Sequence, residues 1–185
     1  TNIYKNKDLK ICLSEIDEKN FETLNKKFSD SNNIKVYKKF TNEIKEKFDT
    51  VLYLSVLEHI EDDKKEINDA IDKLDLNGHL IICVPAHNYM YSNFDKEIGH
   101  FKRYEDNFFK NLSLDNAKLK KIFFIDSFGY LLYFFNKLIF SKEVYPSKFK
   151  VLIWDKVFIP LTYVLDFLTF YKIGKNIICI FKKEL

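Results

Sequence analysis

Glycine is scarce in this 185-residue sequence: Gly78, Gly99, Gly129 and Gly174 are the whole set, and none precedes residue 78. A chain with no early glycine has no glycine-rich loop of its own in that stretch to bring backbone close to a phosphate or dinucleotide. That argues against a nicotinamide-type oxidoreductase, since no nucleotide fingerprint is present. Cysteine is nearly as rare. Cys12, Cys83 and Cys179 lie far apart in apolar runs without paired spacing, which fits reduced thiols in a cytoplasmic setting better than disulfides or a zinc site. No uncharged apolar run of about 18 residues occurs, so a spanning helix is not expected. Neither charge sign dominates: 30 basic and 27 acidic residues are interspersed for a net charge of +3, which supplies no basis for nucleic-acid binding.

What is plentiful is apolar and aromatic surface. At 46% hydrophobic residues, with 19 Phe and 11 Tyr, the chain can bury one substantial core, and a single domain over residues 1–185 is expected. Leu9 to Leu13 reads as a strand, followed by a helix capped by Asp17 that carries Phe21, Leu24 and Phe28 on one face. Ile34 to Tyr37 is a second strand and Val51 to Leu54 a third. Ile67, Ala70, Ile71 and Leu74 then mark the buried stripe of a helix, and an Asn77-Gly78 turn leads into a strand at Leu80 to Val84. A short helix at Tyr104 to Asn111 and a strand at Leu119 to Ile125 follow. Two aromatic helical segments, Phe128 to Phe140 and Val151 to Phe170, form an insertion over residues 128–172 before a last strand at Asn176 to Phe181. Repeated strand and helix units imply a mostly parallel sheet in an α/β fold.

In such sheets ligands bind beyond the carboxyl ends of the strands. Here the strand at Val51 runs into Ser55, Val56, Glu58 and His59, and the strand at Leu80 runs into a loop, Pro85 to Tyr104, that gathers His87, Tyr89, Tyr91, Phe94, His100, Phe101, Arg103 and Tyr104. The loop is long enough to be a functional lid. His87, Tyr91, Arg103 and Tyr104 are candidate substrate contacts: the rings enclose an apolar acceptor and Arg103 binds a carboxylate or phosphate on it. The alternative is that the loop packs over the sheet edge with Arg103 paired to Asp95 or Glu97. His59 and His100 are candidate proton acceptors. His59 alternatively packs the start of the following helix, and Glu58 reads as a first-turn acid. No metal site is expected, because His87 and His100 stand thirteen residues apart without a third ligand at helical spacing.

The segments SVLEHIEDD at 55–63, LNGHLIICVPAH at 76–87 and GHFKRY at 99–104 together resemble one branch of the class I S-adenosylmethionine-dependent methyltransferases of small-molecule type. The resemblance runs from Leu9 onward. It implies a Rossmann-like three-layer sandwich with strand order 3-2-1-4-5-7-6, the seventh strand antiparallel, so that NIICIF at 176–181 resembles that last strand. It implies S-adenosylmethionine as cofactor, with Glu15 accepting from the ribose hydroxyls and with Ile16, Ser55, Val56 and His59 beside it. Two departures stand out. The family's first, central strand and its glycine loop have no counterpart here and are expected to precede Thr1, so the sequence reads as a piece of a longer chain. Lys38, Lys39 and Phe40 also stand where the family often ends its third strand with an adenine-binding Asp. The function implied is methyl transfer to a small-molecule or glycan or lipid-type acceptor. The alternative is a noncatalytic remnant that acts as an interaction module, with the aromatic helices forming an oligomer interface or touching a membrane surface peripherally.

Overall fold

Asp17 starts the first helix of the computed structural model, which describes residues 6–139, 152 and 154–184. The chain divides into two compact units, Thr1–Lys47 and Phe48–Leu185. In the first, β1 (Ile11–Ser14) and β2 (Ile34–Tyr37) run parallel, with Ile11 opposite Ile34 and Ser14 opposite Tyr37. The connection between them is α1 (Glu18–Lys27). Its amino end is held by the Asp17 carboxylate, which accepts from the Asn20 amide at 2.9 Å. Phe21, Leu24 and Phe28 are half-buried on one face, and the opposite face is charged.

The second unit holds β3 (Phe48–Leu54), α2 (Asp63–Asp72), β4 (Leu74–Pro85), α3 (Asn93–Glu97), α4 (Asp106–Lys110), β5 (Ala117–Ile125), α5 (Ser127–Ile139), α6 (Ile159–Leu168) and β6 (Asn176–Lys183). Its sheet has the order β3-β4-β6-β5. β3 and β4 are parallel, while β6 runs antiparallel to both of its neighbours, so three strands point one way and the last in sequence points back. The order matches the 4-5-7-6 half of the family arrangement, and the β1-β2 pair matches its strands 2 and 3. Among the described residues β1 pairs with β2 and β3 with β4, each on one side.

The alternation along the strands decides where the core lies. Tyr53 of β3, Leu80, Ile82 and Val84 of β4, and Ile177, Cys179 and Phe181 of β6 point to one buried face, which Ile67, Ala70 and Ile71 of α2 and Phe109 of α4 complete. The three cysteines are free thiols, and burial pushes the Cys179 thiol far up. β4 begins earlier than its sequence suggests. Phe48 faces Leu74 but Thr50 faces His79, so residues 75–78 bulge out, and Asn77-Gly78 is a bulge within the strand rather than a turn before it. Asn77 has φ of 67° there, and a Cβ on Gly78 would stand 3.0 Å from the Asp49 carbonyl oxygen. Phe140, Val151 and Ile153, assigned to helices above, lie outside the described residues. No helix among the described residues is long and apolar enough to cross a membrane.

Gly174 enters β6 across the end of β5, where a Cβ would stand 2.2 Å from the Ile125 carbonyl oxygen. Backbone cannot yield there as a flexible side chain does. Gly174→Ala is expected to lower unfolding free energy by about 2–3 kcal/mol, read as a shift in urea midpoint at constant m value.

Candidate functional site at the strand ends

The carboxyl ends of β3, β4 and β5 share one rim, and each is followed at once or after one residue by a side chain on left-handed backbone: Ser55 (φ 54°), His87 (φ 65°) and Asp126 (φ 66°). Such conformations cost non-glycine residues roughly 1–2 kcal/mol and persist where surrounding bonds fix them. His87 is fixed by Nε2 against the Gly174 carbonyl at 3.0 Å and by its ring lying parallel to Phe124 at 5.4 Å. Tyr89 and Tyr130 pack beside it with their hydroxyls bonded at 2.6 Å. A hollow of about 350 Å³ opens elsewhere, between Thr50, His79, Ile81, Lys120, Lys121 and Ile180. Its lining combines His79 and two lysines with no carboxylate, and the candidate residues lie at the rim instead.

The loop from Pro85 to Tyr104 is tied at its base, where the His87 amide donates to the Tyr104 carbonyl and the Tyr104 amide to the Pro85 carbonyl, both at 2.9 Å. Inside it Asp95 is fully buried and acts as a hub. Its carboxylate accepts from Arg103 Nε at 2.9 Å and Nη2 at 3.1 Å, from the Ser92 amide at 2.9 Å and hydroxyl at 2.8 Å, and faces His100 Nδ1 at 3.0 Å. Burial alone would push its pKa up, but the hydrogen bonds from Arg103 and Ser92 prevail and hold it below the usual carboxylate range. With Asp95 ionised, the contact is a hydrogen bond donated by His100 Nδ1, and it turns Nε2 to within 3.8 Å of Glu58 Oε1.

Glu58 stands in the first turn of the short 3-10 helix after β3, as its sequence suggests, but is buried there. It is 1% exposed, and its Oε2 has no hydrogen-bond partner. Burial raises its pKa, more than the nearby His100, His59 and Arg103 lower it. His59 stays exposed, with Nδ1 3.2 Å from the Gly99 carbonyl and its ring edge-on to His100 at 4.6 Å between centroids. A raised folded-state pKa means that folding takes up a proton at Glu58. The stability this confers is complete below the unfolded value near pH 4.3 and is lost as pH rises through the folded value. In chelator-treated buffer Glu58→Gln is therefore expected to be more stable than the parent by about 1 kcal/mol at neutral pH, with the difference fading towards about pH 4, in urea titrations across that range.

The other candidates fall in several places. Glu15 and Ile16 belong to the first unit, just past the carboxyl end of β1: Glu15 is half-buried, its Oε1 accepting from the Asp17 amide at 2.9 Å, and Ile16 is exposed. Ser55 and Val56 are exposed at the β3 end. Tyr91 is exposed and donates to the His100 carbonyl at 2.7 Å. Arg103 and Tyr104, expected to face a pocket, are instead buried. Arg103 is committed to Asp95, as its alternative reading had it, though Nη1 is without a partner. Tyr104 sits in the core because its hydroxyl finds the Leu57 carbonyl at 3.1 Å and Asp63 at 2.9 Å. Asp95 itself was seen in sequence only as a partner for Arg103, and the spacing of Asp95, His100 and Arg103 within one loop was the signal for the hub. Lys175, half-buried beside Asp126 with its pKa lowered by desolvation, had no such signal.

No protein-family model and no curated protein matches the chain. Solved structures do. Coclaurine N-methyltransferase bound to N-methylheliamine and S-adenosylhomocysteine is 15% identical at a TM-score of 0.60, covering 97% of this chain and 62% of that one. The StiE O-methyltransferase, residues 961–1257, is 15% identical at 0.54, covering 98% and 61%. The N-methyltransferase NodS from Bradyrhizobium japonicum WM9, in complex with S-adenosylhomocysteine, is 9% identical at 0.51, covering 94% and 65%. The chain thus spans less than two thirds of the length of each. With its strand order and its reversed last strand, the chain has the fold of the class I S-adenosylmethionine-dependent methyltransferases.

Proposed function

We propose that the chain is part of an enzyme that transfers a methyl group from S-adenosylmethionine to a small-molecule acceptor, of which glycans and lipid-linked compounds are one class. The observation that carries the reading is the fold, shared with solved methyltransferases whose structures contain S-adenosylhomocysteine. Glu15 supports the cofactor reading: it stands just past the carboxyl end of β1 with one carboxylate oxygen on the Asp17 amide and the other left to accept from a ribose diol. When bound, S-adenosylmethionine supplies an electrophilic methyl group on sulfonium. The chain's own residues position the acceptor and exclude water. His59 stands exposed at the β3 end with Nδ1 towards a carbonyl, so its Nε2 is free to take a proton from an acceptor hydroxyl. His87 and Tyr91 line the acceptor side, while Arg103, Tyr104 and His100 act by holding the loop in place.

Titrating S-adenosylhomocysteine into the purified protein tests this. Saturable binding is expected, weakened roughly 10- to 100-fold in Glu15→Ala, the equivalent of one charge-assisted contact. A folded protein that shows no binding heat sinks the reading. The second reading, an interaction module without catalysis, would then stand on the apolar face around α6, where Tyr163 (71%), Phe167 (69%) and Phe170 (77%) are exposed.

A further inference from the structure

Glu58, His59 and His100 each bring one ligand-capable atom within 4.8 Å of the other two. The geometry points to a divalent transition-metal site of Zn²⁺ type, with the Glu58 carboxylate and the two imidazoles as ligands. Three features support it independently of that proximity. Glu58 is buried yet leaves Oε2 without a partner, and a buried carboxylate oxygen in that condition costs free energy that a cation would offset. His100 is held by a carboxylate: Asp95 receives its Nδ1 proton at 3.0 Å and so turns the Nε2 lone pair to the Glu58 side, the outer-sphere arrangement that orients and strengthens imidazole ligands. Asp95 is in turn locked by Arg103 and Ser92, so the second shell is already in place.

The atoms need little movement to close on an ion. At Zn–N and Zn–O distances of about 2.0–2.1 Å, tetrahedral ligands stand about 3.3 Å apart. His100 Nε2 and Glu58 Oε1 are 3.8 Å apart, and the third ligand, His59, is exposed and can swing on its own torsions. Two imidazoles and one carboxylate favour Zn²⁺ and its first-row neighbours over Mg²⁺ or Ca²⁺, which prefer all-oxygen shells. Three protein ligands leave an open position, and the exposure of His59 puts that position at the rim. If the transferase reading above holds, an acceptor oxygen could enter there and lose its proton to solvent at lower pH than in free solution, with the imidazoles acting as ligands rather than bases.

The test is cation binding, which stands apart from methyl transfer and from S-adenosylhomocysteine binding. Metal-free protein is titrated with Zn²⁺ by calorimetry and with Co²⁺ by visible absorption. One equivalent is expected to bind, with a Co²⁺ spectrum of imidazole-ligated, low-coordinate type. His59→Ala, on an exposed side chain that leaves the fold intact, is expected to weaken binding by more than about 100-fold, since even loss of an outer-sphere partner costs about 10- to 100-fold. Glu58→Gln is expected to do the same, and His79→Ala, remote on β4, to bind as the parent does. Absence of binding to the parent protein overturns the proposal, as does binding that survives His59→Ala or that disappears in His79→Ala. Failure of the cofactor titration with intact Zn²⁺ binding would overturn the transferase reading alone.

Discussion

Asp95→Ala is expected to lower the unfolding free energy by about 3–5 kcal/mol, the largest effect of any single substitution at the rim. The size follows from what is left behind. Arg103 is buried, and with the carboxylate removed its guanidinium charge has neither the paired oxygens at 2.9 and 3.1 Å nor water to replace them. The Ser92 amide and hydroxyl lose their acceptor at the same time. Asp95→Asn keeps the shape and one acceptor oxygen and should lose less, so the difference between the two variants isolates the charge. The pH dependence has a definite sign. Asp95 has a folded pKa below its unfolded value of about 3.9, so its stabilising contribution is present above that value and disappears as pH falls through the lower, folded one. Urea midpoints of the parent should therefore fall at acid pH, while those of Asp95→Asn fall less steeply over the same range. Equal slopes would show that the carboxylate does not titrate as its partners require.

Much of the fold was legible because it rests on periodicity and local signals. The Asp17 cap, the Ile67, Ala70 and Ile71 stripe and the apolar strands at Ile34, Leu80 and Asn176 are written in adjacent residues, and the structure forms elements at each, although Leu74, read as the last residue of that stripe, opens β4 instead. The bulge at residues 75–78 was not legible, because an Asn-Gly pair signals left-handed backbone without saying whether a turn or a bulge uses it. The site was legible in its place and less so in its parts. Strand ends located the rim, yet the burial of Glu58, Arg103 and Tyr104 was not legible, since a polar residue in a loop gives no sign of which way it faces. Burial depends on partners distant in sequence: Tyr104 turns inward because Asp63 waits 41 positions away. Asp166 is of the same kind: its neighbours in sequence give no sign that its carboxylate serves backbone amides 39 and 40 positions away.

Its structural role supports the second large effect, a loss of about 3 kcal/mol in Asp166→Ala. Asp166 is buried on α6, and its carboxylate accepts from the Ser127 amide at 2.8 Å and the Asp126 amide at 3.1 Å, as well as from the Ser127 hydroxyl. Those amides lie at the start of α5, 39 and 40 residues away, so Asp166 joins Asp126, whose own carboxylate accepts from the Gly129 amide at 3.0 Å, in capping a helix other than its own. Each donor stranded on truncation costs about 1–3 kcal/mol when water cannot reach it. Asp166→Asn retains one acceptor oxygen and should recover about half of the loss. The contact also sets Asp126 on its left-handed backbone at the β5 end, whose carbonyl accepts from the Lys175 amide at 3.2 Å. Asp166→Ala should therefore loosen the β5 end of the rim as well as lower stability, and faster amide exchange at Ser127 and Lys175 than at β4 would register it. A variant with parental stability and unchanged exchange would show that α5 is capped by other groups and that α6 does not hold the rim.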